Sequence, residues 1–319
     1  MTLSREEWLT ERRTHIGASD VAAILGMDPR RGPLAVYESK VHGHSQEDND
    51  WMRFGRDVEG AIANMYAAKT KRDVEDLGGT WFQPHSSVSF LSSTLDRVTW
   101  EAPTDPDEPG APLELKHVGN FSNDFGRPRA GRRWRWIMKH RPSLSSDWET
   151  DPPLHYQIQL QIQMACLGSP WGSLAALFPG YNLVWKDIER NNEFLDEVYP
   201  ALEDFWRCVV DKTPPPVESH RDLEVVKRLW PATSGETVAL DNETQALVGA
   251  WEAAKGWRKH DNETVEAVEA KLRAAIGDAT WGALPDGTFL SLKTTKRKGY
   301  TRVVEPGEYR TLRRVKSKK

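Results

Sequence analysis

The sequence predicts an α/β fold: a mixed central sheet flanked by helices, followed by a smaller C-terminal extension. Three observations carry this expectation. A helix-period stretch occupies residues 53 to 71, a β-rich run follows up to residue 118, and helix and strand then alternate as far as the proline run "TPPPVE" at 213 to 218.

In chain order, residues 4 to 13 read as a first helix. A second begins near Ser19, whose hydroxyl can cap "DVAAILG", and Gly26 stops it. After the turn "MDPRRGP", residues 33 to 41 give a short helix. On the amphipathic helix 53 to 71, Val58, Ile62, Met65 and Tyr66 share one face. The period then changes. "TWFQP", "SVSFLSSTLDRVTWEAP" and "PLELKHV" are β-rich, punctuated by Gly79, Pro84 and the polar loop "PTDPDEPGAP". Residues 153 to 167 read as a helix, although the Gln/Ile alternation of "HYQIQLQIQM" is by itself a fair half-buried strand. A hairpin at 172 to 188 turns around "PGYN", and 192 to 211 is helical.

The proline run divides the chain into residues 1–215 and 216–319. Beyond it, helices are expected at 241 to 258 and 262 to 275, then a hairpin turning at Asp286-Gly287, then a basic tail. From Lys293 to the end there are eleven Lys/Arg against two Glu. That tail reads either as a nonspecific DNA contact or as a solvated segment.

Composition narrows the function classes. No stretch of the 319 residues approaches the roughly 18 uninterrupted apolar residues of a membrane helix. The N-terminal "MTLSREEWLTERRTHIG" has no signal-peptide core, and two cysteines are too few for a disulfide scaffold, a four-cysteine zinc ribbon or an iron–sulfur cluster. A cytoplasmic protein is expected. The net charge of −4 means that any nucleic-acid binding comes from local patches.

One such patch is "GRPRAGRRWRWIMKHR", 126 to 141, with seven Lys/Arg, no acid, and Trp134 and Trp136 interleaved. Arg132, Arg133 and Arg135 can neutralise phosphates and Trp134 can stack on a base, so this segment is a candidate DNA-contacting loop. The second informative stretch is "APLELKHV". Glu114 and Lys116 lie two apart, so in a strand both side chains leave the same face. Asp96 stands eighteen residues earlier between two β-prone runs, where antiparallel pairing could bring it beside Glu114. Metal-dependent phosphodiester cleavage needs hard carboxylate ligands, a group that addresses the attacking water, and nearby positive charge. Glu59, next to Val58, borders the core. In a helix, Tyr156, Gln159 and Gln163 form one stripe.

These stretches, with "EEWLTERRTHIGASDVAAILG", "FGRDVEGAIANMY", "LSSTLDRV", "PLELKH" and "HYQIQLQIQM" in order over most of residues 5 to 210, resemble the PD-(D/E)XK nuclease superfamily. The resemblance is specifically to the YqaJ-type viral recombinases, relatives of the lambda phage exonuclease. It implies a restriction-endonuclease-like core with Asp96, Glu114 and the Leu115 carbonyl on Mg²⁺, for which Mn²⁺ can substitute. Lys116 would orient or activate the water, Gln159 would be the glutamine of the helical motif, and Glu59 would act at the metal site directly or through water. Arg12 and Ser19 match the residues that hold the DNA terminal phosphate. One departure is Leu95, where the motif has Pro before the Asp.

The function implied is a recombination exonuclease of phage or prophage origin. It would degrade double-stranded DNA from its ends, 5′→3′, leaving 3′ single strands for a phage annealing protein, and a homo-oligomer, a trimer among relatives, is part of the same expectation. An endonuclease on the same fold and a non-catalytic DNA-end-binding module are the rivals.

Overall fold

The structure, a computed structural model, describes residues 4–43, 50–101, 109–118, 152–178, 181–256, 262–296 and 308–315. It divides into two compact units, Met1–Pro215 and Pro216–Lys319.

The first unit opens with helix α1 (Arg5–Thr14), started by a reciprocal capping box between Ser4 and Glu7. The two-residue strand β1 (Ile16–Gly17) leads into α2 (Ala18–Ile24). The start of α2 differs from the sequence expectation. Its N-cap is Gly17, whose amide donates to the Asp20 carboxylate at 3.3 Å, so Ser19 lies inside the first turn. Gly26, at φ +69°, ends this segment in the left-handed region that glycine accepts without strain. Helices α3 (Pro33–Val41) and α4 (Asp50–Thr70) follow.

The central sheet holds β2 (Asp73–Asp76), β5 (Arg97–Trp100), β6 (Ala111–His117), β7 (Trp171–Phe178) and β8 (Asn182–Glu189), in the order β2-β5-β6-β7-β8. Only β6 and β7 are parallel, as their connection through α5 (Leu154–Leu167) requires. It is a mixed sheet flanked by helices, as the sequence predicts. Edge strand β2, "DVED", was not expected, because three of its four residues are exposed and it carries no apolar alternation. A small second sheet pairs β1 with β4 (Leu91–Thr94) and β4 with β3 (Phe82–Pro84).

The pleat of β6 sorts the two faces. Leu113 and Leu115 pack with Ile62, Ala63 and Tyr66 of α4 and with Ala175 and Leu183. The opposite face carries Leu160 and Met164 of α5 against Leu174 and Ala176. Glu114 and Lys116 alternate with Leu113 and Leu115 and therefore project on the α5 side.

Helix α6 (Asn192–Val210) completes the unit. In the second unit a 3₁₀ turn (His220–Asp222) runs into α7 (Leu223–Leu229). Strand β9 (Thr237–Ala239), helices α8 (Asn242–Gly256) and α9 (Asn262–Ile276), and strands β10 (Trp281–Ala283), β11 (Phe289–Lys296) and β12 (Glu308–Val315) follow. Its sheet order is β12-β11-β10-β9, around a core of Val248, Trp251, Leu272, Ile276, Leu290, Leu292 and Leu312. Here the sequence expectation is corrected: part of the basic tail is strand, pairing with β11 over eight residues from Phe289↔Val315 to Lys296↔Glu308.

Candidate active site

Asp96 occupies the two-residue joint between β4 and β5, where the chain leaves the small sheet and enters the large one. Antiparallel pairing of Arg97 with Leu113 sets Asp96 beside Glu114. Its Oδ2 accepts a hydrogen bond from the Leu115 amide at 3.1 Å. A strand residue turns its N–H and C=O to the same edge, so the Leu115 carbonyl faces this side too.

Glu114 is 1% exposed, which for a carboxylate demands compensation. Lys116 Nζ and Gln159 Nε2 both donate to Oε1, the latter at 2.6 Å, and Gln163 Nε2 donates to Oε2 at 2.6 Å. Gln159 and Gln163 reach it together because they are one helical turn apart on α5. The Lys116 ammonium also lies 5.0 Å from the ring centroid of Tyr156, on the same helix.

The electrostatics are those of acids crowded out of water. Burial, reinforced by the charge of Glu114 and partly offset by Lys116, pushes the Asp96 carboxyl up to about 8. Burial likewise raises Glu59, with Lys116 opposing and Glu114 adding to the shift, which brings Glu59 into the field of the same group. For Lys116 burial acts downward, but the Glu114 and Asp96 carboxylates outweigh it and hold the ammonium above its ordinary range.

Among the described residues no group of three or more His, Cys, Asp or Glu side chains is arranged to hold a metal ion. The donor set at Asp96 nevertheless fits a hard divalent cation. Asp96 accepts one hydrogen bond through Oδ2, leaving Oδ1 without one among the described residues, and burial beside Glu114 raises its carboxyl, a cost that a bound cation would offset. Asp96, Glu114 and the Leu115 carbonyl are oxygen donors of the kind Mg²⁺ and Mn²⁺ take.

A second polar cluster surrounds Asp20, which is 3% exposed. Lys40 Nζ approaches its carboxylate at 2.7 Å, Arg31 at 3.3 Å and Arg12 at 3.9 Å. Burial opposes the charge of Asp20, yet Lys40, Arg12 and Arg31 together hold its carboxyl far below the usual carboxylate range. Arg31 also donates to the Ser19 carbonyl at 2.8 Å, and Lys40 to the Arg12 carbonyl at 2.6 Å. The Arg12 guanidinium lies 4.8 Å from the Trp8 ring, and Trp8 Nε1 donates to Thr94 Oγ1 at 2.9 Å. Thr94 in turn accepts from Gln163 through its carbonyl at 3.3 Å, linking the two clusters.

Of the residues chosen from sequence, Asp96, Glu114, Lys116 and Gln159 thus come together with Glu59 in their field. Arg12 and Ser19 meet at the Asp20 cluster. Arg132, Arg133, Trp134 and Arg135 lie outside the described residues. Sequence reasoning singled out neither Gln163, Asp20, Arg31 nor Lys40 as a site residue. The i,i+4 step from Gln159 was a usable signal for Gln163. The other three converge only through tertiary packing of α2, α3 and the turn between them.

Comparison with known proteins gives matches in three kinds. Residues 7–170, just over half of the chain, match the model of the YqaJ-like viral recombinase domain. A curated relative, the uncharacterized protein YqaJ of Bacillus subtilis (strain 168), is 25% identical over 209 residues; the match covers 64% of this chain and 56% of that relative's length. Among solved structures, an alkaline exonuclease from Laribacter hongkongensis matches at 20% identity and TM-score 0.45, covering 70% of this chain and 96% of that one. A phage related exonuclease from Haemophilus somnus 129PT matches at 12% identity and TM-score 0.40, over 62% and 96% of the two chains.

Proposed function

Because the chain belongs to the YqaJ-like viral recombinase domain family, we propose that it is a divalent-metal-dependent deoxyribonuclease. In this reading it degrades double-stranded DNA from its ends, 5′→3′, and leaves 3′ single strands for an annealing protein. The observation that carries the proposal is the inward-facing set of Asp96, Glu114 and Lys116, with two carboxylates and an ammonium at one point of the sheet.

Asp96, Glu114 and the Leu115 carbonyl would hold Mg²⁺, with Mn²⁺ as a substitute. The ion would supply positive charge at the scissile phosphate and acidify water there. Lys116, kept protonated by its two carboxylate neighbours, acts as a donor: it orients the attacking water and offsets charge building on the phosphorane. Gln159 fixes the Glu114 oxygen that Lys116 also holds, and Tyr156 limits where the ammonium can swing. Glu59, raised by burial, supplies a further carboxyl at the same point, direct or through water.

Surplus positive charge around Asp20 suits Arg12 and Ser19 to a terminal DNA phosphate. Arg132, Arg133, Trp134 and Arg135 are assigned to DNA contact on their charge and aromatic content alone. A homo-oligomer acting in a bacterial host belongs to the same reading.

Purified protein offered a covalently closed circle and a linear duplex in Mg²⁺ tests the mode of attack. Digestion of the linear form alone is expected. Cutting of the circle would replace the exonuclease by an endonuclease with the same chemistry.

A further inference from the structure

Gln163 is the one member of the carboxylate cluster to which the reaction outlined above gives no task. It is 1% exposed, and its amide nitrogen donates twice: to Glu114 Oε2 at 2.6 Å and to the Thr94 carbonyl at 3.3 Å. Both partners are pure acceptors, so only the NH₂ end of the amide can serve them. Its own carbonyl, Oε1, is buried without a hydrogen-bond partner among the described residues. Burying an acceptor unpaired is costly, and an apolar side chain of the same shape would avoid that cost. What distinguishes Gln at this position is therefore its donor.

That donor bridges the strand that supplies Glu114 and the strand that leads into Asp96. Glu114 belongs to β6, and Thr94 ends β4 two residues before Asp96. Lys116 and Gln159 both act on Glu114 Oε1, so they leave the carboxylate free to rotate about that oxygen. Only Gln163 holds the other oxygen among the described residues.

We propose that Gln163 is a positioning residue for the metal site: its amide fixes the rotation of the Glu114 carboxylate and ties it to the Thr94–Asp96 segment, so that both carboxylates meet one cation in a set geometry. This rests on the reading of Asp96 and Glu114 as metal ligands. Outer partners of ligating carboxylates are commonly worth ten- to a hundredfold in metal affinity or activity.

The test uses the full chain and Mn²⁺ binding measured by calorimetry, with thermal melting in EDTA alongside. Gln163→Met keeps the volume and removes both the donor and the unpaired acceptor. It is expected to fold but to melt in EDTA below wild type, because Glu114 Oε2 and the Thr94 carbonyl lose their donor, and to bind Mn²⁺ about tenfold or more weakly. On linear duplex its kcat falls while KM for DNA ends stays put. A plain packing role would move the melting temperature and leave Mn²⁺ affinity alone. A folded Gln163→Met that binds Mn²⁺ as tightly as wild type overturns the inference while leaving the metal reading intact. Wild type that takes up no Mn²⁺ overturns both. If the Met variant does not fold, Gln163→Asn, which keeps the amide but falls one methylene short of Glu114, carries the same expectations and the same refutation.

Discussion

Two acids in this chain, buried Asp20 and half-buried Asp96, are held in opposite ways. Asp20 has three cations around one carboxylate, whereas Asp96 sits next to another carboxylate with Lys116 engaged elsewhere. Their linkage to stability therefore has opposite sign. The folded pKa of Asp20 is depressed, so its contribution is fully present above the unfolded value of about 3.9 and is lost as pH falls through the folded one. Asp96, pushed up to about 8, destabilises increasingly as pH rises from about 4 through 8 without a bound cation. Asp20→Asn leaves Lys40 buried with its charge uncompensated, and urea unfolding at pH 7 should show a loss of about 3–5 kcal/mol. That loss should stay constant between pH 7 and pH 5 and shrink only below about pH 4. A loss that shrinks already between pH 7 and 6 would show that Asp20 is not the ionised hub of its cluster. None of Arg31, Lys40 and Asp20 was legible as a group in the sequence, since charges at separate positions declare nothing until α2 and α3 pack.

Strand β6 was the most legible element. A period of two puts Glu114 and Lys116 on one face whatever the tertiary context, and only the identity of that face needed the structure. Helix α5 shows the reverse. Its alternation of Gln with Ile and Leu mimics a half-buried strand, yet it is a 14-residue helix closed by Gly168 at φ +81°. The alternation misleads because nearly the whole circumference is used. Ile158, Leu160, Ile162 and Met164 are buried, and the glutamines between them pair with Glu114, Thr94 and the backbone of Glu189 and Asn191. A helix enclosed on all sides has no polar stripe to betray its period. Strand β12 was missed for a related reason, since its run of Arg reads as a solvated tail.

How closely α5 rests on the sheet is set by Gly172 of β7. A Cβ there would stand 2.9 Å from Leu160 Cδ1 and 3.1 Å from Pro112 Cγ, and Leu160 is fully buried. Gly172→Ala should therefore cost about 1–3 kcal/mol in urea unfolding. Because α5 carries Gln159 and Gln163, the rate on linear duplex should fall with it. Wild-type stability and rate in this variant would show that the helix has room to give.

At the scale of the molecule, the proline run read as a boundary lies where the structure separates its two units, each with a hydrophobic core of its own. The site is built wholly from the first unit: α4 brings Glu59, the β4–β5 joint Asp96, β6 Glu114 and Lys116, and α5 the two glutamines. The net charge of −4 gives no global attraction to DNA, so the proposed function assigns DNA binding to local positive charge, around Asp20 and in the sequence of residues 126 to 141. Among the described residues no helix is long and apolar enough to cross a membrane. The central claim is that Asp96, Glu114 and Lys116 form one metal-dependent hydrolytic site. Time-resolved digestion of an end-labelled linear duplex by wild type, Asp96→Asn and Lys116→Ala, in Mg²⁺ and in EDTA, tests it most directly. Wild type should shorten the duplex in Mg²⁺ and not in EDTA, and each variant should be slower by about a hundredfold or more. Lys116→Ala degrading the duplex as fast as wild type in Mg²⁺ would contradict the account.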